Sequence, residues 1–535
     1  MTKEEKIVDI VKKLVAVQSD TGTTLECAMA DRIGSFFEED AYFSQHPESW
    51  GLHRTGDHLG RSVVWALKRG RSNSVVILTG HYDAVEIECY GALKPYALDA
   101  DALREKILAR TDIPQELRAQ AESPDWMFGR AVADMKGGLG VGLYEVLNLP
   151  ADSENGVLFL AVCDEENLSA GARSAVPLLL DLRERFGIEY KMSIVLEPQL
   201  PLGTDDFMIY NGSIGKMLPI IVAKGHLAHC GEPLKGLNAA HMIAQIVSSV
   251  DMNTDLMTED LGLSAQPPIA QIMKDLKTAY DVSIPEYAAA CINLLFMGKN
   301  RPMALLEKIR TLAQDAVKTV MARYEKAFDL VLSRGLVLER DRLDADVEVL
   351  LIGELEQRIA AKRGDFDAFR AAIQRSLNDR VRTGEITLQT AGIEYMKTML
   401  SELRTESPTV VIGMTPPYYP CVSNTYFKND SAAQIENVRG VVEQLGMKLR
   451  VMPFFTGIGD CSYMICADPT AERELMRNMT LAGEVYDIPF EAACALDTPC
   501  VFIGPRCRDI HRWEERVYVP DLTRAVPEII EALLK

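Results

Sequence analysis

The chain has 535 residues, 47% hydrophobic and 25% charged, with a formal net charge of −20. That length exceeds what one hydrophobic core serves, so two or more domains are expected. The acidic balance excludes a binder of nucleic-acid backbones, which needs a basic surplus, and no apolar run approaches the length of a bilayer span, so neither a nucleic-acid nor a membrane partner is expected. The 11 cysteines include no CxxC pair and read as reduced thiols of a cytoplasmic protein.

At the N-terminus, Ile7, Ile10, Val11, Leu14 and Val15 mark one face of an amphipathic helix rather than a signal peptide. Residues 1 to about 40 read as two helices with a break near Ser19 to Thr24. RSVVWALKRG and SVVILTG then read as two strands within 61–80. The second strand runs into Gly80 and the tripeptide His81-Tyr82-Asp83. Alternate residues of a strand point the same way, so Asp83 is placed to orient one nitrogen of His81 while the other meets a metal. On its own the same tripeptide reads equally as a polar turn. Residues from about 87 to 125 form a polar, helix-favouring segment, expected to cover one side of a site.

Asp134 precedes a glycine-rich helix start, where a carboxylate is favoured either as a helix cap or as a ligand. A strand from Val157 to Val162 leads into Asp164-Glu165-Glu166. Three acids at the end of a buried strand repel one another unless cations or donors meet them; a solvated loop is the alternative. MSIVLEP is a short strand reaching Glu197, and TPCVFIGPRCRDIH another, closely followed by His511. Four apolar strands thus run into metal-competent residues. In open α/β sheets, sites form beyond the carboxyl ends of the strands. Two histidines with several carboxylates, and no cysteine set, suit a pair of catalytic cations sharing an aspartate rather than a structural zinc.

From about Ile214 the texture changes. A strand, MLPIIVAKG, precedes a loop running into a helix, AHCGEPLKGLNAAHMIAQIV. PEYAAACINLLFMG reads as a further strand, 303 to about 402 as almost wholly helical, and PTVVIGMTPPYYP as a strand. The expected organisation is a first domain in two parts, 1–213 and 431–535, with a second inserted at 214–430 that carries a helical insertion at about 303–402.

These motifs resemble the co-catalytic zinc hydrolases of metallopeptidase family twenty, which includes aminoacylase, carboxypeptidase G, acetylornithine deacetylase and succinyl-diaminopimelate desuccinylase. GHYDAVEIECYG and YDVSIPEYAAACINLL are most similar to the RocB-type arginine-utilisation subgroup. The resemblance implies an α/β fold: a zinc-hydrolase catalytic domain with a central mixed sheet flanked by helices, plus an inserted α+β lid or dimerisation domain enlarged by the helical insertion. It implies two divalent cations, zinc first with cobalt or manganese as alternatives. His81 and Glu197 would ligate the first, Glu166 and His511 the second, and Asp134, itself joined to Met135 by a cis bond, would bridge them. Asp83 would orient His81, and Glu165 would be the general base. His229 would reach across a homodimer formed through the lid, and Asn238 would contact substrate. The family pattern of Asp-x-Arg, which holds a substrate carboxylate, is Asn293 and Leu295 here. The implied activity is hydrolysis of an amide bond in a small N-acyl amino acid or dipeptide-like molecule, within arginine or ornithine metabolism. A family member without catalysis that binds a metabolite is the alternative, against which the full ligand set argues.

Overall fold

A computed structural model describes the chain apart from residues 200–205, 300, 344–345, 406, 428–430, 467 and 484–485. The chain divides into two compact units, the first comprising Met1–Ser213, Val422–Ala467 and Pro489–Lys535, the second Ile214–Cys421 and Asp468–Ile488. Residues 422–427, expected in the inserted part, cluster with the first unit, and 468–488, expected in the first domain, cluster with the second; the expected boundary at 430 itself lies outside the described residues.

The first unit is built on an eight-stranded mixed sheet. Its strands are β1 (Trp50–Arg54), β2 (Ser62–Lys68), β3 (Ser74–His81), β4 (Gly156–Val162), β5 (Glu189–Val195), β6 (Phe207–Tyr210), β7 (Leu449–Met452) and β8 (Cys500–Phe502). The spatial order is β1-β2-β4-β3-β5-β8-β6-β7. β2 and β3, consecutive in the chain, are therefore not neighbours: β4 lies between them, antiparallel to β2 and parallel to β3. The four central strands, β4, β3, β5 and β8, all run parallel.

The apolar runs of β3 and β4 are unbroken because both faces of the sheet are covered. Val76, Leu78, Val157 and Phe159 share a core with the helices Lys3–Val15, Leu25–Glu39, Gly137–Asn148 and Val526–Leu534. Val75, Ile77, Leu158 and Leu160, on the alternate positions, are buried as fully. The first helix starts with a capping box in which Thr2 and Glu5 satisfy each other's free N–H groups, and its last turn is basic.

The second unit has a five-stranded sheet of Ile269–Asp275, Tyr287–Phe296, Gly215–Lys224, Thr409–Tyr419 and Glu348–Leu351, in that order. The last of these corrects the expectation of an almost wholly helical 303–402. The apolar run Val349-Leu350-Leu351 is buried and pairs in parallel with Val410 to Ile412. A short run of this kind satisfies helix and strand patterns equally, and here the free sheet edge decides. The helices Pro302–Ser333, Ile352–Ala360, Phe366–Arg382 and Leu388–Leu403 account for most of the rest of that stretch.

Candidate metal centre

The register of the four central strands brings their carboxyl ends level. His81, the last residue of β3, pairs with Val162 at the end of β4, so Glu165 and Glu166 follow immediately beyond it. Thr79 pairs with Val195, the last residue of β5, which sets Glu197 two residues further on, level with His81. β8 pairs alongside β5, and the chain leaving it returns His511 to the same end. Two glycines allow the tight approach. A Cβ on Gly138 would lie 1.9 Å from the Leu196 carbonyl oxygen, and one on Gly504 would lie 2.0 Å from that of Glu197.

Asp134 sits at the middle of this cluster. Its Oδ1 is 2.9 Å from Nε2 of His81, and its Oδ2 is 3.3 Å from Nε2 of His511. Nε2 of His81 is also 3.5 Å from Oε1 of Glu197, and Nε2 of His511 is 2.7 Å from Oε1 of Glu166. Ligand atoms sharing a cation at about 2.1 Å stand roughly 3.0–3.4 Å apart, so this set fits two cations on either side of one carboxylate. His81, Asp134 and Glu166 form one group able to hold an ion, and His81, Glu165 and Glu197 another. The Asp134–Met135 peptide bond is cis, as the resemblance implied.

Comparison with known proteins agrees with this geometry. Residues 77–535 match the profile of peptidase family M20/M25/M40. The chain belongs to that family. The uncharacterized Bacillus subtilis protein YqjN is 31% identical over 100% of this chain and 97% of its own length. Protein RocB of the same organism is 24% identical over 99% of this chain and 94% of its own. Among solved structures, YxeP of B. subtilis, described as a dinuclear metal-binding peptidase of the M20 family, superposes with a TM-score of 0.50 at 12% identity, covering 99% of this chain and 97% of that one. At that identity the likeness speaks for the shared fold.

Around this M20 cluster, a buried frame holds the acidic loops. Asp83 is fully buried, and its carboxylate accepts the backbone N–H groups of Glu165 at 3.1 Å and Glu166 at 3.2 Å. Nδ1 of His81 lies 3.0 Å from the main-chain carbonyl of Asp83 and 3.5 Å from its Oδ1, so backbone and carboxylate both fix the ring. One turn away, Arg61 donates to Glu26 and to Asp164, each at 2.7 Å, and neutralises the acid that heads the Asp-Glu-Glu run.

Two residues of the frame were missed from the sequence. Nη1 of Arg130 donates to Oε2 of Glu515 at 2.6 Å, both side chains being buried. Oε1 of Glu515 in turn accepts the N–H groups of Ala133 and Asp134. Nη2 of Arg130 reaches the carbonyl of His511 at 3.4 Å. One buried pair thus ties the Asp134 loop to the His511 loop. The signal was faint: each member stands four residues from a candidate ligand, and nothing marks either charge as buried.

The electrostatics follow from burial. Glu165 and Glu197 are driven well above the carboxylate range by desolvation and by the neighbouring acids, with His81 opposing. Asp134, half-buried, is held well below it against desolvation by hydrogen bonds from His511 and His81. Hydrogen bonds to Asp134 and Glu166 push His511 up to about 10. Burial lifts Asp460 to about 7 against the pull of His81. Four to five carboxyl groups around two imidazoles are a cation-demanding set.

His229 and Asn238 belong to the second unit. His229 is exposed, and its Nδ1 accepts the Gly231 N–H at 3.0 Å. Asn238 caps the helix Ala239–Val250 through the Ala240 N–H at 2.9 Å. Asn293 and Leu295 lie half-buried on Tyr287–Phe296, opposite Ile269 and Lys216.

Proposed function

We propose that this M20 member is a dinuclear metal-dependent amidohydrolase acting on a small N-acyl amino acid or dipeptide-like substrate. The observation that carries the reading is the split of the Asp134 carboxylate, one oxygen towards His81 and the other towards His511. In this reading His81 and Glu197 hold one cation, His511 and Glu166 the other, and Asp134 both. Zinc is the first expectation, cobalt or manganese the alternatives, since histidine and carboxylate suit all three.

Two bound cations would polarise the scissile carbonyl and acidify the attacking water. Glu165, raised in the metal-free cluster, would be returned to its ionised form by the nearby positive charge; its carboxylate then takes the proton from that water and returns it to the departing nitrogen. Its buried position keeps the proton from bulk solvent between the two transfers. Asp83 holds His81 and the Glu165-Glu166 backbone in register while this happens. The family resemblance gives His229 of the partner subunit the part of oxyanion donor in a homodimer, and Asn238 a contact with substrate. With Leu295 where the family has its carboxylate-binding arginine, recognition of the substrate carboxylate falls to another donor. The resemblance of GHYDAVEIECYG and YDVSIPEYAAACINLL to the RocB-type arginine-utilisation subgroup favours a substrate from arginine or ornithine metabolism.

The test is metal analysis combined with a panel of N-acyl amino acids and dipeptides. Two equivalents of cation per chain and turnover of at least one member are expected. Glu165→Ala should keep both cations and lose turnover. Full turnover in Glu165→Ala would overturn the mechanism, and cation without any turnover would favour a metabolite-binding protein.

A further inference from the structure

The first unit has a cavity at the end of its sheet opposite the metal cluster. Arg71 lies in the turn before β3 and Glu154 just before β4, at the amino ends of the parallel strands. At about 3.3 Å per residue, the eight residues of β3 separate this end from His81 by roughly 23 Å. The cavity there has a volume of about 380 Å³. Leu149 and Leu534, each 4% exposed, contribute apolar wall together with Tyr144 and Pro150.

Glu145 also lines it. This residue lies on the helix Gly137–Asn148, is only 5% exposed, and its Oε1 has no hydrogen-bond partner among the described residues. Of the other charges near the cavity, Arg71 pairs with Glu154 at 2.9 Å and Lys3 with Glu531, while Lys535 also lines the wall and is a cation that an incoming ligand must displace or share Glu145 with. A buried carboxyl oxygen left without a donor costs free energy, and side chains in folded proteins rarely carry that cost without a partner or a use. Asp152, exposed at the rim, adds a second carboxylate.

We infer that this cavity is a binding site for a small organic cation, whose ammonium or guanidinium N–H groups meet Glu145 while its carbon chain lies against Leu149, Pro150 and Leu534. An N–H cation supplies the donor that the Glu145 oxygen lacks, and the apolar walls accept the methylenes, a division of labour usual for small-molecule sites. Burial pushes the empty carboxyl up to about 8, with Lys3 opposing and Glu531 reinforcing. The cation therefore competes with a proton. The site is separate from the metal cluster and stands whether or not the proposed hydrolysis does.

Calorimetric titration of the full-length, metal-loaded protein with butylammonium and with butylguanidinium chloride tests this. Tetramethylammonium, which has no N–H, and butanol, which has no charge, serve as controls. One site is expected for the N–H cations in the wild type and equally in Glu165→Ala, with affinity weakened at least tenfold in Glu145→Gln. Which of the two cations binds more tightly tells ammonium from guanidinium. In the wild type, which raises no question of misfolding, affinity should fall about tenfold per pH unit below about 8, as ionised Glu145 becomes scarce. Unchanged affinity in Glu145→Gln, equal binding of the controls, the absence of pH dependence, or no binding by either N–H cation overturns the assignment.

Discussion

Asp83→Asn is the sharpest probe of how the cluster is held. The wild-type carboxylate accepts two backbone N–H groups, one on each oxygen, and its Oδ1 also stands 3.5 Å from Nδ1 of His81. An asparagine has one acceptor oxygen and one NH2 group. It can take the Glu165 N–H or the Glu166 N–H, and its amide then faces the other donor. One buried N–H is left opposed, at a cost of about 1–3 kcal/mol. The ring keeps its 3.0 Å contact with the Asp83 carbonyl, so His81 remains oriented while the Glu165-Glu166 backbone loses its anchor. At about 1.4 kcal/mol per decade this amounts to roughly a 5- to 150-fold loss of cation affinity, which overlaps the 10- to 100-fold typical of residues supporting metal ligands. Competition with a chromophoric chelator measures it directly. Affinity within twofold of the wild type would refute the idea that Asp83 positions the acidic loop.

Other perturbations read other parts of the frame. Arg130→Met leaves Glu515 buried without its counter-charge and should lower stability by about 3–5 kcal/mol, seen as a fall in the melting midpoint of the metal-free protein. Arg130→Met combined with Glu515→Gln should recover part of that loss; a double variant no better than the single would show that the pair does not act as a unit. Gly138→Ala places a Cβ against the Leu196 carbonyl, so the helix start must retreat from the segment after β5 that carries Glu197, and both melting midpoint and cation affinity should drop. Glu145, with its ordinary value of 4.5 raised to about 8, contributes stability that is fully present below about pH 4.5 and lost as pH climbs to 8. Urea unfolding at pH 5 and pH 9 should therefore show Glu145→Gln gaining on the wild type, by at most about 5 kcal/mol across that window. A constant difference between the two proteins would contradict the burial assigned to that carboxyl.

Five strands of the first unit, β2, β3, β4, β5 and β8, were legible because burial leaves an apolar run, whereas β1 and β7, partly exposed, and the short β6 were not read from the sequence. Their terminal residues were legible for a related reason: His81, Glu165, Glu166 and Glu197 interrupt such runs where a turn to solvent would ordinarily bring Gly, Asn or Ser. Strand order was not legible. Nothing local in β2 or β3 says that β4, 75 or more residues on, separates them. Pairing is chosen by the joint burial of the whole sheet, to which each strand contributes only an apolar face. The run at Val349 to Leu351 shows the same limit, since its residues suit a helix as well as a strand until a sheet edge is offered to it. Arg130 and Glu515 lie furthest beyond the reach of sequence: a single charge carries no pattern, and only the folded chain brings two of them, 385 residues apart, into one buried pair behind Asp134 and His511. The residue types suited to the chemistry were thus written in the chain, whereas the order, the register and the buried support that bring them within a few ångströms of each other are properties of the packed sheet alone.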